Sequence, residues 1–288
     1  MLTSAAFEGL SWNLWADIVG LFDFPFMVHA LVAGTAVALV AGPVGWLMVL
    51  RRQTFAGHTL SVISFPGAAG AALIGLPLGI GYFGAFAAGA LALSGVSRGD
   101  SGTESRESAA TGTIQALALA LGLLFVSLYH GLLNGVSGLL FGTFLGITST
   151  QAAVLALIAF AALALLTVAW RPLVFASIDT EVARARGVPV RALSLGFLLL
   201  LGLTVAATSQ ITGALLVFAL LVTPAAAAQQ LTARPMLGVA LATGIALAVT
   251  WIGLGLAYYS IYPAGFFITS LAFLVYVSTR VRSVVVRA

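Results

Sequence analysis

Residues 151–191 read QAAVLALIAFAALALLTVAWRPLVFASIDTEVARARGVPVR. Positions 151–170 carry no charge, and about 20 apolar residues in a helix suffice to cross the hydrocarbon core of a bilayer. The character then changes. Asp179 or Thr180 offers a helix cap, Glu181-Val182-Ala183-Arg184-Ala185-Arg186 supplies two turns, Gly187 is a stop and Pro189 lies beyond it. A membrane span therefore opens into a loop, 171–191, that holds a short helix with its own start and stop signals. A plain linker needs neither. The small residues at 183 and 185 permit close approach by a partner, so the loop reads as a docking element; a capped surface helix without a partner is the competing reading.

The rest of the chain repeats the first half of that pattern. Of 288 residues, 61% are hydrophobic and 7% charged, against roughly 25% charged in soluble domains. Apolar segments fall at about 26–50, 58–77, 79–97, 108–129, 151–170, 191–209, 212–230, 235–258 and 264–279. The expectation is an all-α polytopic membrane protein of about nine transmembrane helices, with eight to ten admissible. Residues 26–288 form a single transmembrane domain. Residues 1–25, with Trp12, Trp15, Leu21 and Phe22 beside Glu8, Asp17 and Asp23, read as an amphipathic interfacial segment rather than a secretory leader. The stretch 131–150 is apolar but broken by glycines, and SQITG at 209–213 leaves room only for a tight turn.

Charge gives the orientation. Alternating the loops across nine spans puts all twelve arginines on one side: Arg51 and Arg52, Arg98 and Arg106, Arg171, Arg184, Arg186 and Arg191, Arg234, and Arg280, Arg282 and Arg287. The positive-inside rule makes that side cytoplasmic, with the N-terminus outside and the C-terminus in the cytoplasm of a multi-pass cell-membrane protein. In so apolar a chain the net charge of +4 concerns the lipid bilayer, not nucleic acid.

Several functions fall away. The chain has no lysine and no cysteine, so it has no Gly-x-x-x-x-Gly-Lys phosphate loop and no thiolate metal ligand. The eight carboxylates all lie in loops or at span ends, whereas an ion-coupled carrier needs a titrating acid near the midplane. Gly135-Val136-Ser137-Gly138 resembles an intramembrane serine-protease motif, but no histidine follows it. No ring of acids marks a channel filter. An active transporter of this composition takes its energy from another polypeptide and is not itself an enzyme. A passive channel and a secondary transporter remain the readings from other classes.

Six stretches, in order, resemble the integral-membrane permeases of zinc/manganese/iron ABC importers. Val49-Leu50-Arg51-Arg52, Gly57-His58-Thr59-Leu60-Ser61 and Pro66-Gly67 look like the family's LRR…GDALSHAxxPG. Glu107 to Gly112 resembles ED-x-x-IG, and Leu140-Phe141-Gly142 resembles LFG. Asp179-x-Glu181-x-Ala183-x-x-x-Gly187-x-Pro189 resembles the family's coupling loop. Thr204-Val205, Gly213, Leu215-Leu216-Val217 and Pro224-Ala225-Ala226 resemble two later helices, and Tyr258-Tyr259 with Pro263-x-Gly265 resembles the last extracellular turn.

The resemblance implies a permease subunit, working as a homodimer with an ABC ATPase subunit and an extracytoplasmic substrate-binding protein, that imports a divalent metal ion: zinc, manganese or iron. No cofactor would be bound by this chain; ATP would be hydrolysed by the partner. Asp179, Glu181, Ala183, Gly187 and Pro189 would couple to the ATPase. Pro66, Gly67, Gly142, Gly213, Pro224, Pro263 and Gly265 would be structural. Where the family has Asp and His four residues apart, this chain has His58 and Val62, and the second acid of ED is Ser108. His58 is then the remaining metal ligand, on a path with Ser61, Ser64 and Gln210; imidazole suits borderline divalent ions. The depleted ligand set also fits a chelated metal or another small solute carried by the same architecture. Gln115, Thr208, Ser209, Gln229 and Gln230 would line such a path or join helices to one another.

Overall fold

A computed structural model of the chain describes residues 19–96, 104–129 and 146–285. The regular structure there is helical: α1 (Pro25–Leu50), α2 (Thr54–Leu73), α3 (Leu78–Val96), α4 (Glu104–Leu128), α5 (Ser149–Ile178), α6 (Thr180–Ala185), α7 (Val190–Thr212), α8 (Ala214–Leu231), α9 (Pro235–Tyr258) and α10 (Ala264–Val285). Residues 1–18 of the expected interfacial segment, the Gly-x-Ser-Gly stretch, His130 and Gly142 lie outside the described residues.

The nine long helices among the described residues follow the nine apolar segments to within a few residues at most ends, and three differences bear on the site. First, α2 begins at Thr54, so His58 sits a turn inside the helix. Second, α4 begins at Glu104, which takes Glu104 to Ser108 out of the expected loop. The third difference matters most. The fifth span does not stop at Trp170 but continues through Pro172 to Ile178. Proline removes one backbone donor, while Leu173 and Ala176 beyond it are buried and hold the helix on course. At 1.5 Å per residue the 30 residues of α5 reach about 45 Å, against a hydrocarbon core of about 30 Å. α5 is therefore longer than that core requires, and α6 follows directly at its end.

Among the described residues six helices are long and apolar enough to cross a membrane: α1, α5 and α9 along their length, and α4, α7 and α10 over Ala109–Leu128, Val190–Ser209 and Ala264–Arg282. α2 is not among them because its composition is too polar, and its place in the bundle accommodates this. Only Phe55 and Leu73 of α2 are exposed, so its Ser, Thr, Gly and Pro residues meet protein rather than lipid. α8 is similar, with Leu231 its sole exposed side chain among those described.

α1 is the hub, packing against α5, α7, α8 and α9. Its far end shows the register. Trp46 is buried, its ring 6.0 Å from that of Trp170 on α5 and its carbonyl accepting from Gln229 Nε2 on α8 at 2.9 Å. At the opposite end Phe24 and Phe26 lie 6.1 and 6.2 Å from Tyr258 at the close of α9. α1 and α9 therefore run antiparallel. The ends of α1, α5 and α8 and the start of α9 meet at the end of the bundle that carries Arg51, Arg171 and Arg234.

α2 and α3 cross almost backbone to backbone. A Cβ on Gly67 would meet Ala85 Cβ at 2.2 Å and the Gly81 carbonyl oxygen at 2.4 Å; one on Gly81 would meet the Gly67 oxygen at 2.2 Å. Small residues allow such approaches between membrane helices. The 209–213 turn is as tight as its sequence implies: α7 and α8 are separated by Gly213 alone, at φ +76°.

Candidate functional site

α6 is held at both ends by its own chain. Asp179 Oδ1 accepts the Val182 amide at 2.9 Å, a cap worth about 1 kcal/mol. Thr180 Oγ1 donates back to the Ala176 carbonyl at 3.0 Å, covering the open end of α5. At the exit the Val188 amide reaches the Ala183 carbonyl at 3.0 Å and the Gly187 amide the Arg184 carbonyl at 3.0 Å, with Gly187 at φ +79°. This is a glycine stop, in which one left-handed residue turns the chain and satisfies the last carbonyls. Pro189 then precedes α7 as its N-cap residue. The cap and the stop stand where the sequence signals put them.

One expected contact is redirected. Ala183 is fully buried as α6 packs on α5 and α7, so its small side chain admits the chain's own helices and not a partner. The outer face is formed by Glu181, Val182, Arg184, Ala185 and Arg186, all exposed. Ile178 and Phe175 continue it as exposed apolar residues. This end of the chain thus leaves apolar side chains, one acid and two arginines open to contact.

Arg51 lies directly behind this element. Its Nη1 donates to Ser177 Oγ on α5 at 3.0 Å and its Nη2 to Ser194 Oγ on α7 at 2.8 Å. Its Nε reaches Gln53 Oε1 at 3.4 Å, and its Cζ stands 5.2 Å from the centre of the Phe197 ring. Burial lowers the guanidinium from its ordinary pKa, yet arginine keeps its charge at neutral pH. The sequence placed Arg51 in a motif and on a side. Its serine partners, 126 and 143 residues away, had no signal.

Of the residues expected to line a path, those on α2 lie at half-buried or buried positions. His58 is half-buried on α2. Ser61 and Ser64 are fully buried. Their hydroxyls donate to the carbonyls of His58 at 2.7 Å and Leu60 at 3.0 Å, a local pattern that satisfies the hydroxyl within its own helix. Thr208 and Ser209 of α7 do the same toward Thr204 and Val205. Gln210 belongs to α7, with its side chain outside the described set. Gln115 accepts from Thr59 Oγ1 at 3.2 Å, and Gln229 bonds Trp46 as above, so these two amides join helices. Among the described residues no three His, Asp or Glu side chains gather. Of the structural residues, Pro66 and Pro224 are buried inside α2 and α8; Pro263 accepts the Phe266 amide at 3.0 Å where α10 begins, and Gly265 is buried there.

Known proteins resemble this chain in sequence and in fold. The manganese transport system membrane protein MntC of Halalkalibacterium halodurans is 31% identical over 214 residues, 74% of this chain and 72% of that one. The chelated iron transport system membrane protein YfeC of Yersinia pestis is 35% identical over 214 residues, covering 74% and 71%. Among solved structures, a chain of PsaBC from Streptococcus pneumoniae in complex with Fab superposes with a TM-score of 0.81 at 26% identity, over 92% of this chain and 95% of that one. Residues 23–283 match the ABC 3 transport family. With nearly its whole helical bundle inside that match, the chain belongs to the ABC 3 transport family.

Proposed function

We propose that the chain is the membrane permease subunit of an ABC importer that carries a divalent metal ion, zinc, manganese or iron, into the cytoplasm. The family match over 23–283 carries the reading, and relatives named for manganese and chelated iron transport support the cargo class. The arginine-bearing end faces the cytoplasm by the positive-inside rule. There the outer face of α6 seats on an ATPase subunit, with Glu181 fixing its dock and Gly187 its exit. An extracytoplasmic binding protein delivers the cargo at the opposite end, beside Tyr258 and Tyr259. Hydrolysis in the ATPase moves α6, and the helices rock between outward-open and inward-open states.

A single imidazole is a sparse metal site, and a second permease copy provides its partner. Two copies of His58 facing one another across a homodimer give two nitrogen ligands, with water completing the shell. Ser61 and Ser64 join the path, together with Gln210, when α2 parts from its neighbours. A chelated metal needs fewer ligands from the protein, and the name of YfeC favours that cargo as the second reading.

Metal content of a strain deleted for this chain, measured across manganese, iron and zinc, tests the cargo. Loss of one of the three, restored by the intact chain and not by His58→Ala, is the expected result. Unchanged content of all three in metal-limited medium contradicts the metal reading. Restoration by His58→Ala removes the imidazole from the path.

A further inference from the structure

Among the described residues the short helix α6 packs chiefly on the two helices that flank it in sequence, α5 and α7. A push delivered to α6 must still reach the hub helix α1. Arg51 is the residue placed to pass it on. It follows the last residue of α1 and hydrogen-bonds one residue on each side of α6: Ser177, in the last turn of α5, and Ser194, in the second turn of α7. Three helix ends thus converge on one guanidinium.

The chemistry of the contact suits arginine in particular. A planar fork holds two hydroxyls at once in fixed directions and lays its face on Phe197, which a lysine ammonium cannot do. The charge sits at the C-terminal ends of α1 and α5, where two helix dipoles favour a cation, against the single opposing dipole at the start of α7. The partners are hydroxyls, an amide oxygen and a ring rather than a carboxylate, and partial burial strengthens each of these bonds relative to water. Ser177 passes the connection on to the Leu173 carbonyl of α5. On the other side of Arg51 the backbone turns sharply: Arg52 adopts φ +56°, and the Gln53 amide returns to the Met48 carbonyl at 2.9 Å. The arginine therefore stands on a fixed corner, not on a loose loop.

We propose that Arg51 is a positioning residue that links α6 to α1, so that movement of the docking helix is transmitted to the core of the bundle. This rests on the reading of α6 as the ATPase-facing helix.

The test uses the full complex of permease, ATPase and binding protein in proteoliposomes, with radioactive manganese as the probe. Docking is read separately. The chain has no cysteine, so Val182→Cys supplies a unique thiol for cross-linking to the ATPase. Arg51→Ala is expected to keep the cross-link and the basal hydrolysis of the ATPase, and to lower hydrolysis stimulated by loaded binding protein, and metal uptake, at least tenfold at unchanged KM for ATP. Arg51→Lys is expected to rescue only in part. The double variant Ser177→Ala/Ser194→Ala, which removes the acceptors with little change in packing, is expected to lower stimulation in the same sense, and it decides the matter if Arg51→Ala fails to fold. Full stimulation in the double variant, or complete rescue by lysine, overturns the proposal. Loss of the cross-link in the otherwise wild-type complex overturns instead the docking reading beneath it.

Discussion

Replacing Gly67 with valine is expected to abolish the folded, monodisperse permease, whereas the same change at Gly84 leaves it intact. Both positions lie at the α2–α3 pair, and both changes add the same atoms to a membrane helix. They differ in what those atoms meet. At Gly67 the first added carbon already falls at 2.2 Å from Ala85 Cβ and 2.4 Å from the Gly81 carbonyl oxygen. One of these is backbone, so no rotamer change relieves it, and the helices must separate. Overpacking a well-filled core typically costs about 1–3 kcal/mol. A clash with backbone lies at or above the top of that range, a large share of the roughly 5–15 kcal/mol that holds a typical domain together. At Gly84 a Cβ meets nothing within 4 Å. Size-exclusion chromatography of the detergent-solubilised protein separates the outcomes. A normal peak for Gly67→Val would show that α2 and α3 do not cross at this point.

Gly187→Val is expected to leave that peak unchanged and to lower binding-protein-stimulated ATP hydrolysis on the order of tenfold. The open space around Gly187 removes any steric argument, and the effect is purely conformational. At φ +79° a residue with a Cβ pays about 1–2 kcal/mol, and a β-branched one is stiffer still. Only six residues make up α6, and its exit bond from Val188 to Ala183 depends on that left-handed turn. The bulk of the molecule does not. A change of about 1.4 kcal/mol alters an equilibrium tenfold, which sets the expected scale. Gly187→Asn, which tolerates the left-handed region better, is expected to retain most of the stimulation. Full stimulation in the valine variant would mean that the exit geometry of α6 plays no part in coupling.

The two variants draw on different amounts of sequence information. The stop at Gly187 and the cap at Asp179 were legible because they are local: cap, two turns, glycine and proline follow one another within eleven residues. The long helices were legible for the same reason, each being an apolar run with a polar break. The length of α5 was not. Arg171 and Pro172 look like an ending, and only the burial of Leu173 and Ala176 by distant helices carries the helix past them. The inward turn of Ala183 was hidden too, since a small residue permits approach from either side. The position of α2 inside the bundle keeps its Ser, Thr and Gly residues away from lipid, and one chain alone carries no sign of that. The fork of Arg51 joins residues more than a hundred positions apart, and nothing short of the folded bundle brings them together.

The central claim is that this permease moves a divalent metal ion under the control of a separate motor. Uptake of radioactive manganese, iron or zinc into proteoliposomes, with the ATPase and the loaded binding protein present, measures it directly. Accumulation of at least one of these metals is expected to require ATP, the ATPase and this chain together, and to stop when any one is omitted. Equal uptake without ATP, or no uptake of any of the three with all components present and ATP hydrolysis running, would contradict it.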